Sequence, residues 1–305
     1  LRVVVVPQNF ETSQEWLSWL NTISTPAGLM LAGLDQRTQK VRSSTRYTVS
    51  ERRLLGAYAG LQGSHGAHAW QLNLRHDDNS QFGGADTGHV GYGFRLAPEW
   101  RVLAAYGTSF VAPSFNQLYY PGYSNPLLKP EQGDNREVGL NWSQGAQQLK
   151  WMMFQNRIRG FITSETLPTN IPRTRIDGST LNYEGRSGAW AWRAGLDMLD
   201  PRNSVSGKLL PRRAKQQTHA SVDYSSGDYT WGATLLNVGQ RFDDAANSRV
   251  LAAFTTVDLS LQQRLARDWK LSYQIINIGN QSYELATGYN QPGRSAMVSL
   301  IWQPR

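Results

Sequence analysis

Short and long connections alternate along the chain, and the segments between them have the two-residue periodicity of β-strands. In residues 255–264, for example, Val257, Leu259 and Leu261 alternate with polar residues, as expected for a pleated strand with one apolar face. Consecutive antiparallel strands run in opposite directions, so alternating lengths place the tight turns at one end of a sheet and the long loops at the other. Fifteen such strands are predicted: 14–23, 29–36, 53–61, 67–76, 89–96, 100–110, 136–143, 148–161, 173–185, 189–199, 214–224, 229–242, 255–264, 269–278 and 294–302.

The asymmetry between the two kinds of connection restricts the fold class. Outer-membrane barrels have short periplasmic turns and long extracellular loops, whereas a soluble sandwich mixes both kinds at both ends. The predicted long connections are 37–51, 77–88, 111–135, 163–172, 201–211, 243–254 and 279–293. Since helical spacers are also missing from the pattern, the sequence predicts an all-β, antiparallel transmembrane β-barrel of about 14–15 strands.

The composition agrees with a membrane barrel and excludes several other classes. There are 11 tryptophans and 13 tyrosines, which suits aromatic girdles at the two membrane interfaces, although a carbohydrate-binding all-β protein could also be rich in them. No cysteine is present, which excludes disulfides, thiolate metal sites and cysteine nucleophiles. The net charge of +8 is scattered over many strands. This favours loops that meet lipopolysaccharide phosphates or an anionic ligand, and no nucleic-acid partner is expected.

The connection 111–135 contains more aromatic surface than a solvated linker needs. Several prolines interrupt strand pairing there, and the aromatic residues are Phe115, Tyr119, Tyr120 and Tyr123. A loop of this length is usually either functional or disordered. Its aromatic content favours a functional loop.

Candidate catalytic and metal-binding patterns are weak. The chain contains no nucleophile elbow, phosphate loop or paired-histidine motif, so an enzyme is not predicted and no catalytic residue is assigned. One polar cluster could offer oxygen ligands to Ca²⁺ in an extracellular loop. The cluster lacks the spacing of a regular calcium loop, and the alternative is a polar turn. The cluster consists of Asp77, Asp78, Asn79 and Asp86.

Several motifs carry a family resemblance. They are YGTSFVAP at 106–113, NQLY at 116–119, GYSNPLLKPE at 122–131 and INIGNQSY at 276–283. They resemble the barrel signature of TonB-dependent outer-membrane receptors, and within that family they are most similar to the cobalamin (vitamin B12) transporting members. The matches extend from about residue 14 to residue 302. The closing motif departs from the family, because Ile278 and Gly279 stand where the family pattern has Phe.

The resemblance implies an architecture and a location. Residues 1–305 correspond to the C-terminal part of a 22-stranded barrel. The plug domain, the energy-coupling box and the first strands have no counterpart in this chain. These strands are therefore expected to leave two open edges rather than to close a barrel by themselves. The implied location is the outer membrane of a Gram-negative bacterium, in contact with lipopolysaccharide. The implied energy source is the TonB complex, acting through the plug.

The resemblance also implies a ligand site. Arg212 matches a position that contacts ligand in the family. Tyr119, Tyr120, Tyr123 and Tyr289 could offer aromatic faces to a corrin ring, whose edges carry amide and phosphate groups. The alternative for each tyrosine is packing in a girdle or a loop.

The leading hypothesis is therefore TonB-dependent transport of a scarce ligand, most readily cobalamin or another corrinoid. An iron-siderophore receptor is the alternative within transport. A passive or structural barrel, or a truncated remnant without its plug, is the alternative from another class. An enzymatic barrel such as a lipase is disfavoured because no Ser–His pairing is evident.

Overall fold

A computed structural model describes residues 9–164 and 167–304. The helix in these ranges is α1 (Phe115–Tyr119). The strands are β1 (Phe10–Thr25), β2 (Gly28–Ser43), β3 (Glu51–His65), β4 (His68–Asn79), β5 (Gly83–Arg95), β6 (Trp100–Val111), β7 (Glu131–Gln144), β8 (Gln147–Ser164), β9 (Pro168–Ser187), β10 (Trp190–Asn203), β11 (Gln216–Ser226), β12 (Tyr229–Val238), β13 (Arg241–Phe242), β14 (Val250–Leu251), β15 (Phe254–Ala266), β16 (Trp269–Ile276) and β17 (Ser295–Trp302).

The strands pair in chain order. Fifteen of them form one sheet in the order β1 to β12, then β15, β16 and β17, while β13 and β14 form a small separate hairpin. Each of the fifteen predicted strands is found in the large sheet, so the predicted all-β antiparallel class is confirmed. Within the described ranges the order has two ends, β1 and β17. No helix in these ranges is long and apolar enough to cross a membrane.

The chain divides into two compact units. Unit 1 consists of the described residues up to Phe94 together with Leu103–Glu137 and Asn156–Thr174. Unit 2 consists of Arg95–Val102, Val138–Gln155 and the described residues from Arg175 onward. Each unit contains strands and the long connections that join them.

In unit 2 a row of aromatic and apolar side chains crosses the strands near the short turns. Trp190 pairs with Tyr224, and Tyr224 pairs with Trp231. The row continues from Trp231 to Leu261 and from Leu261 to Tyr273. Ring centroids are 4.7 Å apart for Trp190 and Tyr224 and 5.8 Å apart for Tyr224 and Trp231. Such a row is the arrangement expected of an interfacial aromatic girdle.

The two faces of unit 2 differ as the alternation in the sequence predicts. Leu235 pairs with Val257 on the face that carries the aromatic row, and Thr234 pairs with Asp258 on the other face. Successive strand residues point to opposite faces. The first face is therefore apolar enough for lipid, and the second is polar.

Unit 1 has the same division. Met30 pairs with Leu61, Leu61 with Leu72, and Leu72 with Val90, which gives an apolar row across four strands. Trp70 follows on the same face next to the short turns, two residues before Leu72. The opposite face carries charged side chains, described below.

Several strands are longer at their loop ends than the sequence predicts. β2 continues to Ser43, and β4 and β5 are joined by the three residues 80–82, so the long connection predicted at 77–88 is wrong. The sequence pattern does not reveal the extension, because its side chains are polar and show no apolar alternation. The main-chain hydrogen bonds of the ladder form whether or not one face is apolar. The connection predicted at 163–172 includes residues 165 and 166, which lie outside the described ranges, and β9 already begins at Pro168.

The apolar face should be intolerant of charge. Leu235 lies four residues, or about 13 Å, along β12 from the girdle residue Trp231, close to the middle of a band about 25 Å tall. Leu235→Arg should therefore lower the free energy of unfolding in lipid bilayers by about 2–4 kcal/mol. Thr234→Arg is the matched control, because it places the same charge on the polar face opposite Asp258. Equal losses for the two variants, measured by denaturant titration in vesicles, would contradict this assignment of faces.

Candidate functional site

The aromatic segment 112–130 of unit 1 is ordered by a helix cap. Ser114 caps α1: its Oγ accepts from Gln117 N at 3.2 Å, and its own N donates to Gln117 Oε1 at 2.8 Å. This reciprocal capping box satisfies main-chain donors that a short helix would otherwise leave unpaired. The helix residues Phe115 and Leu118 are buried. The segment is therefore an ordered part of the fold, in agreement with its aromatic content.

Side chains from β3 and from the connection 44–50 hold this segment in place. Arg52 Nη1 donates to Pro113 O at 2.9 Å, and its guanidinium lies 5.1 Å from the centroid of the Phe115 ring. Tyr47 Oη donates to Asn116 Oδ1 at 2.7 Å. Arg52 is 7% exposed. A buried guanidinium that loses its partners leaves an uncompensated charge, which makes these contacts important for the local structure.

The three tyrosines of the segment differ in exposure. Tyr119 and Tyr120 are half-buried and pack against the core cluster of Val41, Tyr47 and Phe115, where burial raises the pKa of Tyr47. Tyr119 Oη accepts a short hydrogen bond from Gln81 Nε2. Tyr123 is exposed. Packing thus occupies part of Tyr119 and Tyr120, and their role as ligand contacts stays a prediction.

Arg212, in unit 2, lies in a turn before β11. Its backbone is left-handed, with φ at 60°, a conformation that costs free energy for a residue with a side chain. Two contacts hold it there: Arg212 N donates to Phe242 O at 2.6 Å, and Nε donates to Asp243 Oδ1 at 2.6 Å. About half of the Arg212 side chain, 52%, remains exposed.

Asp243 connects three loops of unit 2. Its side chain is only 4% exposed. In addition to the bond from Arg212, its Oδ2 accepts from Thr287 N at 3.3 Å. Burial raises the pKa of Asp243, but the hydrogen bonds from Thr287 and Arg212 outweigh burial and hold the pKa below its ordinary value of 3.8. Asp243 belongs to no sequence motif. Its signal was a charged run, Arg241 to Asp244, inside a long connection.

A second carboxylate shapes the hairpin loop itself. Asp244 Oδ1 accepts from Ser248 N at 3.0 Å and from Arg249 N at 2.8 Å. The hydrogen bond from Arg249, followed by those from Ser248, lowers the pKa of Asp244. Asn247, also left-handed at φ 54°, accepts from Leu209 N at 2.8 Å and donates to Leu209 O at 2.9 Å. The hairpin loop is therefore fastened to the connection that carries Arg212.

Tyr289 lies on the third of these loops. Its side chain is 71% exposed, and its N donates to Ala286 O at 2.9 Å. Arg241 Nη2 supports the same loop by donating to Glu284 O at 2.6 Å. Asp243 thus couples the loop of Arg212 to the loop of Tyr289, since Thr287 is two residues from Tyr289. The structure assigns Arg212 and Tyr289 to unit 2 and the tyrosines of segment 112–130 to unit 1.

The acidic residues considered for calcium do not form one group. Asp77 and Asn79 occupy alternate positions of β4 and therefore share one face. Asp78 lies on the other face, and so does Asp86, which pairs with His76 in the ladder between β4 and β5. Arg75 Nε donates to Asp77 Oδ2 at 2.8 Å, and His76 Nδ1 lies 2.7 Å from Asp86 Oδ1. Strand alternation thus separates the four. No cluster of three or more His, Cys, Asp or Glu side chains suited to a metal occurs in the part of the chain that the structure describes.

Comparison with known proteins identifies the family. A model described as "TonB dependent receptor-like, beta-barrel" matches residues 7–278. The chain belongs to this family. Its barrels lie in the outer membrane of Gram-negative bacteria, so the expected location is confirmed.

Individual proteins that resemble this TonB-dependent receptor barrel show the extent of the likeness. The vitamin B12 transporter BtuB of Vibrio vulnificus (strain YJ016) is 28% identical over 287 residues, which cover 90% of this chain and 46% of that relative. The copper transporter OprC matches with a TM-score of 0.83 at 19% identity, over 99% of this chain and 58% of OprC. The ferric enterobactin receptor of Pseudomonas aeruginosa matches with a TM-score of 0.81 at 15% identity, over 96% of this chain and 54% of that receptor.

These likenesses have different weight. The two solved structures share the fold with this chain, and identities of 15% and 19% carry nothing beyond the fold. The chain spans about half the length of the curated relatives that it matches.

Arg52 should control the order of segment 112–130. Arg52→Ala removes the donor to Pro113 O and should cost about 1–3 kcal/mol of local stability. The amides of residues 114–120 should then exchange hydrogen faster, as measured by mass spectrometry. Arg53→Ala is the matched control, because Arg53 is exposed on the opposite face of β3. Unchanged exchange in Arg52→Ala would show that the capping box and Phe115 suffice to order the segment.

Acid should release the loop of Tyr289. Because the pKa of Asp243 is lowered in the folded protein, its ionised form stabilises the loops above pH 3.8, and this contribution is lost as the pH falls below that value. The protection of the amides of residues 283–291, expressed as the intrinsic exchange rate at each pH divided by the measured rate, should be lower at pH 3 than at pH 6. The variant Asp243→Asn should exchange rapidly already at pH 6 and should lose most of the pH dependence. A full pH response in that variant would assign the effect to another group.

Proposed function

We propose that this chain is part of a TonB-dependent outer-membrane transporter for cobalamin or a related corrinoid. The observation that carries the proposal is the family match over residues 7–278, together with 28% identity to a vitamin B12 transporter over 90% of the chain. Family membership supports gated transport rather than catalysis, and no enzymatic activity is proposed.

The loop chemistry supports a corrinoid. A flat apolar ring whose edge carries amide and phosphate groups needs aromatic faces, together with guanidinium or amide donors. Tyr289 and Arg212 supply one of each on loops that Asp243 connects, and both keep substantial exposure. The tyrosines of segment 112–130 are proposed as further contacts, with Tyr123 the most exposed of the three.

Two partners belong to the same proposal. Uptake of a scarce ligand against its gradient requires energy, for which we propose the TonB complex acting through a plug domain. Lipopolysaccharide is proposed as the lipid that surrounds the strands, because the long-loop connections of both units contain basic residues.

A siderophore receptor is the second candidate function. The likeness to the ferric enterobactin receptor favours it at the level of the fold alone. Ferric catecholates are anionic, and basic loops would attract them. A passive barrel remains the alternative outside active transport.

Ligand titration separates these candidates. The intact protein in detergent should bind cyanocobalamin and should bind ferric enterobactin much more weakly. Binding of each ligand is measured by the quenching of the protein's tryptophan fluorescence. Saturable binding of ferric enterobactin alone would replace the corrinoid proposal with the siderophore one. Binding of neither ligand would favour the passive barrel.

Substitution at Tyr289 tests the loop contact directly. Since the side chain is 71% exposed, Tyr289→Ala should leave the fold unchanged. Loss of an aromatic face should weaken cyanocobalamin binding about 5-fold, on the basis of about 1 kcal/mol for an aromatic contact. Tyr289→Phe keeps the ring and should bind as the unchanged protein does. If the two variants have equal dissociation constants, Tyr289 does not contact the ligand through its ring.

A further inference from the structure

Two adjoining cavities lie at the short-turn end of unit 2. Their volumes are about 300 and 310 Å³, and Gln148 lines both of them, so they form one cleft, which we call the turn-end cleft. Five basic side chains line it: Arg95, Arg101 and Lys150 in the first cavity, and Arg186 and Arg193 in the second. The cleft is separate from the loops of Arg212 and Tyr289, which lie at the opposite ends of the strands.

Side-chain contacts assign the two faces of β8. Trp151 Nε1 donates to Ser179 Oγ at 2.9 Å. Tyr183 shares a face of β9 with Ser179, and its ring centroid lies 6.4 Å from that of Trp192, which is two residues along β10 from the aromatic row. Trp151 therefore lies on the face of the aromatic row, and Lys150 lies on the opposite, polar face.

The same reasoning assigns β6 and β7. Met152 lies on the polar face of β8, and a Cβ on Gly139 would lie 2.9 Å from its Sδ, so Gly139 is on the polar face of β7. Trp142, three residues further, is on the aromatic face, and its ring centroid lies 6.3 Å from that of Trp100. Arg101, which follows Trp100 directly, is therefore on the polar face. The turn-end cleft thus lies on the face that lipid does not contact.

The basic side chains of the cleft have no counter-ion among the described residues. All five are exposed, and none makes a side-chain hydrogen bond or ion pair with another described residue. Arg212, by contrast, is bound to Asp243. Three carboxylates also line the cleft and are likewise unpaired: Glu99, Glu184 and Asp223. The cleft therefore keeps a surplus of positive charge, which is concentrated in the first cavity, where three cations face one carboxylate.

The chemistry of the lining favours a peptide that carries carboxylates. Sites for small molecules are lined mainly by apolar side chains, whereas charged and amide side chains dominate here. Guanidinium groups bind carboxylates through paired, charge-assisted hydrogen bonds. The amides of Asn141 and Gln148 can donate to and accept from a peptide main chain. The second cavity, with unpaired groups of both signs, suits the polar continuation of such a chain.

We infer that the turn-end cleft is a docking surface for an acidic protein segment. The inference goes beyond the proposed function, because it concerns the polar face at the short turns and is independent of the corrinoid loops. Acidic side chains of the segment bind the cations of the first cavity, and its main chain continues past Gln148 into the second. Charge complementarity carries the inference, since an acidic segment supplies the counter-ions that the cleft lacks.

A labelled acidic peptide tests the docking surface. Fluorescein-labelled hexaglutamate should bind the intact protein in zwitterionic detergent at low ionic strength, as measured by fluorescence anisotropy. Arg101→Gln and Lys150→Gln should each weaken binding about 3- to 5-fold, which is the scale of an exposed ion pair, and the double variant about 10-fold or more. Lys150→Arg keeps the charge and should bind as the unchanged protein does. The matched control is Arg249→Gln, which removes an exposed cation from the loop between β13 and β14.

Other probes and the control variant decide the outcome. If inorganic phosphate displaces hexaglutamate with an equally low dissociation constant, the cleft is a small-anion site and docking of a protein segment is wrong. Absence of peptide binding, or equal peptide affinities for the unchanged protein, the double variant and Arg249→Gln, would also overturn the inference. The cleft variants should keep the cyanocobalamin affinity of the unchanged protein. A protein that binds hexaglutamate in the cleft but does not bind cyanocobalamin would refute the proposed function and leave the docking surface in place.

Discussion

The antiparallel main-chain ladder is the constraint on which the rest of this structure depends. A chain that crosses a hydrocarbon layer as strands must pair its backbone N–H and C=O groups between neighbouring strands. Chain-order pairing meets this need for the strands between the two ends of the fifteen-stranded sheet. The same ladder fixes the side-chain period at two, so the register that places Leu235 beside Val257 also places Thr234 beside Asp258. The lipid-compatible face and the polar face are therefore set together.

The loops depend on buried charge instead of a large apolar core. Arg52 and Asp243 are nearly excluded from water, and each bonds groups that are distant in sequence. Removing a charge from water is costly unless its partners are in place, and this cost penalises any other arrangement of the loops. The left-handed backbone of Arg212 is maintained by the same contacts. Exposed side chains such as Tyr289 can then be presented on loops that hold their shape.

The polar face follows the same logic. Arg75, bound by two carboxylates, extends across Gly56, where any side chain would obstruct it. Its neighbours Arg37 and Asn79 keep buried donors that have no hydrogen-bond partner among the described residues.

The sequence by itself determined the all-β class, all fifteen strands of the large sheet and the family, because period-2 alternation and turn residues are local signals. It also predicted an ordered aromatic connection at 111–135, and the family resemblance made Arg212 a candidate ligand contact, which stays a prediction. It missed the loop ends of β4 and β5, because their side chains are polar on both faces and only pairing with the neighbouring strand makes them strands. It named Asn79 only as a candidate calcium ligand and could not select Asp243, since an acidic residue in a polar stretch looks solvated until its partners are known. Only the tertiary structure decided that Asp243 is buried under Arg212 and that Asn79 is buried with its Nδ2 unpaired among the described residues, because burial and hydrogen bonding depend on residues distant in sequence.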